Sequence, residues 1–128
     1  MLEIKVTLRI SSTKYALQYF QQILGEPTTG FSIGDEFLSG KRQREFTLWA
    51  LESSNLPSDD FDTHLAEILN FLDAKYLDIS KLFSDYEMDL FCMFSSDNGQ
   101  GGAVLSANTM KKISSYNLNL VFDVYVEN

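Results

Sequence analysis

The stretch MLEIKVTLRI, Met1–Ile10, alternates apolar and polar residues almost without a break. Successive strand side chains point to opposite faces, so Leu2, Ile4, Val6, Leu8 and Ile10 share one side. Glu3, Lys5, Thr7 and Arg9 share the other. A strand with one apolar and one wet face belongs to an antiparallel or mixed sheet, because strands buried on both faces read as continuous apolar runs. The alternation also reads as a strand and not as a signal peptide.

Two further stretches repeat the pattern. Tyr86, Met88, Leu90, Cys92 and Phe94 oppose Glu87 and Asp89, and Leu118, Leu120, Phe122, Val124 and Val126 oppose Asn117, Asn119, Asp123 and Glu127. The segment EFTLWALES, Glu45–Ser53, is apolar on both sides: Phe46, Leu48 and Ala50 face away from Trp49 and Leu51. It reads as a strand covered on both faces.

Helices fall between the strands. Ser12 or Thr13 is placed to cap a helix bearing Tyr15, Ala16, Tyr19, Phe20, Ile23 and Leu24, which Gly25 and Pro27 end. A second helix is expected from about Ser58, with Asp59, Asp60 and Asp62 in its first turn, where the helix dipole favours negative charge. Its apolar stripe is Phe61, Leu65, Ile68, Leu69 and Leu72. A short helical turn is expected at Asp78–Phe83 and a short strand at Ala103–Leu105, and a last helix from Ser106 to Tyr116 carries Ala107, Met110 and Ile113. The expected fold is a single α+β domain over residues 1–128. It has a four- to five-stranded mixed or antiparallel sheet packed by three to four helices, in the order β-α-β-α-(α)-β-α-β.

The chain has 128 residues, 45% of them hydrophobic, and one cysteine, so it can bury a core but cannot form an internal disulfide. A cytoplasmic protein is expected, with no apolar run of membrane-spanning length. Its net charge of −8 is uneven: residues 45–110 hold twelve acidic side chains against Lys75 and Lys81. Such a centre repels phosphate backbones, which argues against a nucleic-acid ligand, and attracts a basic protein.

Few residues look catalytic. The glycine-rich SSDNGQGGAVLS, Ser95–Ser106, lacks the lysine and spacing of a phosphate loop, and its Asp97-Asn98-Gly99 reads as turn chemistry. His64, the sole histidine, could pair with Asp60 but is expected to be a solvated residue on a helix flank. Asp59, Asp60 and Asp62 are explained by the helix start without a metal, and neither metal nor cofactor is expected. Cys92 and Trp49 read as core.

LGEP (Leu24–Pro27), TLWALES (Thr47–Ser53), the acidic amphipathic helix, FSSDNGQGGAVLSANTM (Phe94–Met110) and NLVFDVYV (Asn119–Val126) follow one another in this order. In this the chain resembles the domain-of-unknown-function 4279 family of small bacterial proteins. The resemblance implies a bacterial, cytoplasmic, single-domain α+β protein and supplies no activity. Small stand-alone proteins of this kind often accompany toxins as immunity proteins. The expectation is therefore a non-enzymatic immunity protein that meets a basic toxin, for instance a nuclease, through Glu52, Asp59, Asp60, Asp62, Glu67 and Asp73. The alternative is a small-molecule or peptide-binding domain. Its pocket would lie under the loop 26–45, lined by Phe31, Phe37, Lys41, Arg42 and Arg44.

Overall fold

A computed structural model describes residues 2–54, 60–80 and 85–126 of the chain. Strand β1 (Leu2–Ser12) is the centre of a five-stranded mixed sheet, and its even-numbered residues from Ile4 to Ser12 are all buried. The chain continues through α1 (Leu17–Leu24), β2 (Thr29–Phe31), β3 (Glu36–Phe37), β4 (Arg42–Gln43) and β5 (Thr47–Glu52). Helix α2 (Phe61–Ile79), β6 (Glu87–Ser96), α3 (Ala107–Ser115) and β7 (Asn119–Val126) complete it.

The sheet order is β2-β5-β1-β6-β7. β1 pairs antiparallel with both β5 and β6, whereas β6 and β7 are parallel and joined through α3. A parallel pair needs a crossover of this length, so α3 is what permits β7 to lie alongside β6. The loop 26–45 contains two elements that alternation does not reveal. Its first part pairs with β5 as β2, and its second folds into a separate β3–β4 hairpin.

One face of the sheet carries the core. Val6, Leu8, Ile10, Trp49, Leu90 and Cys92 are fully buried under α1 and α2. Trp49 stacks on Phe71 of α2, with ring centroids 5.6 Å apart, and its indole N–H donates to the Gly25 carbonyl at 2.9 Å. Cys92 is core, as its register implies, and burial pushes its thiol up to about 12.

Several sequence expectations change. Helix α1 begins at Leu17 behind Ala16, which makes no side-chain cap; Ser12 instead accepts from the N–H groups of Lys14 and Tyr15. The first helical N–H, at Leu17, is met from a distance by the Ser32 hydroxyl at 2.6 Å. Asp60 caps α2, while Ser58 and Asp59 lie outside the described residues. No separate helix starts at Asp78, because Asp78 and Ile79 are the last turn of α2; residues 81–83 lie outside the described residues. Ala103–Leu105 is not a strand.

The largest departure is in β7. Leu118 is buried, but Phe122, Val124 and Val126, expected on the inner face, are exposed. Met110 of α3 is exposed too. The physical reason is position: β7 is the outermost strand, at the margin of the helix layer, where the Phe61 ring of α2 lies 6.4 Å from that of Phe122 and leaves it 56% exposed.

Candidate functional site

The carboxylates expected to form one acidic surface do not share a face. Asp60, Asp62, Glu67 and Asp73 all lie on or at the start of α2, whereas Glu52 sits on the opposite side of the sheet, in register with Thr7. Each is held by the chain itself. Asp60 accepts from the Asp62 N–H and the Thr63 hydroxyl, Asp62 from the Ser106 N–H, and Glu67 from both the N–H and the hydroxyl of Ser54 at 2.7 Å. Asp73 is bound by Lys112 and the Tyr116 hydroxyl, which hold its carboxyl below the usual range. Glu52 pairs with Lys5 at 3.4 Å. Asp59 lies outside the described residues.

The residues of the expected loop pocket are brought together, but against each other. The Arg44 guanidinium lies 4.0 Å from the Phe31 ring centre and 4.1 Å from that of Phe37, so it fills the space between them. Asp35 organises the loop by accepting from the Ser32 N–H through its side chain and from the Arg44 N–H through its carbonyl. Lys41 and Arg42 are exposed at the β3–β4 hairpin.

His64 is buried, contrary to its expected place on a wet flank. It lies one residue before Leu65 on the same inward arc of α2 as Phe61 and Ile68, and its Nδ1 is 2.7 Å from the Ser53 hydroxyl. Ser53 in turn exchanges bonds with Val6: its N–H donates to the Val6 carbonyl and its Oγ accepts the Val6 N–H. A Ser–His contact invites a nucleophile–base reading, yet both residues are buried and the hydroxyl is committed to the backbone. It works as a rivet between α2, β1 and the end of β5. Sequence spacing gave no hint of it, since Ser53 and His64 meet only after β5 docks on β1.

The opposite face of the sheet bears an open cleft. The register places Leu48, Ser11, Arg9, Glu87, Asp89 and Asn119 on the side away from the core, across β5, β1, β6 and β7. They line an open trough of about 620 Å³, walled at one end by Phe46. A second cleft of about 480 Å³ continues it past Phe46 and Glu87 toward Lys14, Asp85 and Tyr86.

Inside the trough Arg9 makes a two-pronged pair with Asp89, at 2.7 and 2.6 Å, and lies 4.6 Å over the Phe91 ring. That hydrogen bonding raises the guanidinium pKa further above its ordinary value. Lys14 pairs with Asp85 at 3.1 Å. Asp85, Glu87 and Asp89 thus alternate along one strand side; two have a cation, and Glu87 has none among the described residues.

The family model of the domain of unknown function DUF4279 matches residues 2–127. The chain belongs to the DUF4279 family. No curated protein and no solved structure matches it. The DUF4279 match covers every element described above, from β1 to β7. Among the described residues no group of three or more His, Cys, Asp or Glu side chains is arranged to hold a metal, and no helix is long and apolar enough to cross a membrane.

Proposed function

We propose that this DUF4279 protein is a non-enzymatic binding protein, an immunity protein that neutralises a basic toxin in the cytoplasm. The observation that carries this reading is the trough on the open sheet face, which the Glu87 carboxylate and the Phe46 ring both line and in which Glu87 pairs with no cation among the described residues. A guanidinium or ammonium group of the partner would stack on Phe46 and pair with Glu87. Such cation–ring contacts contribute about 0.5–2 kcal/mol. The net charge of −8 would speed the encounter with a cationic surface. This moves the contact from the α2 carboxylates, whose bonds hold the fold, to the row Asp85, Glu87 and Asp89.

The test is co-expression with the product of the adjacent gene in a sensitive bacterial host. Wild-type chain is expected to restore growth and to bind that product. Phe46→Ala with Glu87→Lys, both at exposed positions, should lose the rescue and weaken binding more than about tenfold at low salt. Absence of rescue by the wild type, or an unchanged affinity in the double variant, overturns the reading.

A further inference from the structure

The strand NLVFDVYV ends the sheet, so among the described residues the outer edge of β7 pairs with no strand. An exposed edge is usually blunted by charge, proline or a bulge, because its free N–H and C=O groups recruit other strands. β7 has none of the first two except Asp123. Phe122, Val124, Tyr125 and Val126 are 56%, 64%, 54% and 54% exposed.

We infer that β7 is a self-association edge, pairing antiparallel with β7 of a second copy to make a continuous ten-stranded sheet. The patch has two apolar halves that a two-fold axis would set against each other, as a self-complementary interface requires. At the start of β7 a groove of about 590 Å³ is lined by Leu105, Met110, Ile113, Leu118 and Leu120. At its end Val124 and Val126 stand exposed beside a smaller apolar hollow of about 260 Å³ at Leu2, Phe94 and Gly101. A two-fold axis through the middle of the strand sets the first half of one copy against the second half of the other.

Charge selects the register. An axis at Asp123 would put two carboxylates directly opposite, which is destabilising. An axis at Phe122 faces each Asp123 with Val121 and pairs Leu120 with Val124, Asn119 with Tyr125, and Phe122 with its own copy. It pairs Asn119–Tyr125, seven of the eight residues of the strand. Phe122 already belongs to an aromatic cluster with Phe61 and Phe94, at ring distances of 6.4 and 5.9 Å, which the second copy would double.

Sedimentation equilibrium on the full chain should give about twice 14.6 kDa at micromolar and higher concentration. Phe122→Lys with Val124→Lys should return it to monomer. Because each substitution enters the interface twice, the dissociation constant should rise about 100-fold or more, with an unchanged circular-dichroism spectrum. A second measurement does not depend on those lysines. Cross-strand Cα atoms lie about 4.5–5.5 Å apart, within disulfide range, so Phe122→Cys should crosslink under mild oxidation and Val126→Cys should not. The buried Cys92 does not compete. A wild type that stays monomeric, a dimer untouched by the lysines, or crosslinking at 126 in place of 122 overturns the inference. So does a monomer whose β7 binds a different protein.

Discussion

β1 and β7 carry the same alternation of apolar and polar residues and meet opposite fates. The apolar side of β1, from Ile4 to Ile10, is wholly buried, while that of β7 is exposed from Phe122 onward. The difference lies in the sheet order. β1 is central and lies under α2, with β5 and β6 on its two edges; β7 is terminal and, among the described strands, pairs with β6 alone. Alternation fixes which residues share a face. What covers that face is decided by the non-local order of strands.

The contrast can be broken by substitution. Trp49→Ala should cost about 3–5 kcal/mol in denaturant unfolding, since it removes a fully buried ring, its stack on Phe71 and the bond to Gly25. A loss below 1 kcal/mol would show that the helix layer is not tightly packed there. Ser53→Ala should cost about 1–3 kcal/mol, because it takes away the acceptor of the buried Val6 N–H and the Ser53–His64 hydrogen bond. A neutral Ser53→Ala would remove the rivet from the account.

The Cys92 thiol sharpens the same point through pH. Its folded pKa, about 12, lies above the ordinary 9.0, so the folded state keeps the proton that the unfolded chain releases. The associated stability is intact below pH 9 and is lost as pH rises toward 12, by about 1.4 kcal/mol over the first unit. A Cys92→Ala variant, followed by unfolding at pH 8 and pH 10, should lose this part of the alkaline dependence. Smallest of all, Val124→Ala at concentrations where the chain is monomeric should change stability by less than about 0.5 kcal/mol. A cost of several kcal/mol there would mean that β7 is covered within one chain.

Much of the fold was legible. Four strands, three helices and the α+β class follow from periodicity, and Ser106 caps α3 where the spacing places it, although the cap expected for α1 does not form. Asn98 organises the glycine turn as its chemistry implies, accepting from the Gln100 N–H and the Ser96 hydroxyl. β2 and the β3–β4 hairpin were hidden because elements of two or three residues are too short to show a period. The site was less legible. Charge counting singled out the α2 carboxylates, but a count does not see that Ser54, Ser106, Lys112 and Tyr116 fold onto them. The trough joins residues from four strands and an aromatic from a loop, so only strand order assembles it.

The central contrast is tested most directly by amide hydrogen exchange on the wild-type chain at two concentrations. β1 should be protected alike in both, because its partners are in the same chain. The alternate amides of β7 that face away from β6 should exchange fast in dilute solution and slow markedly at high concentration. Equal protection of those amides at both concentrations, whether high or low, would contradict the account.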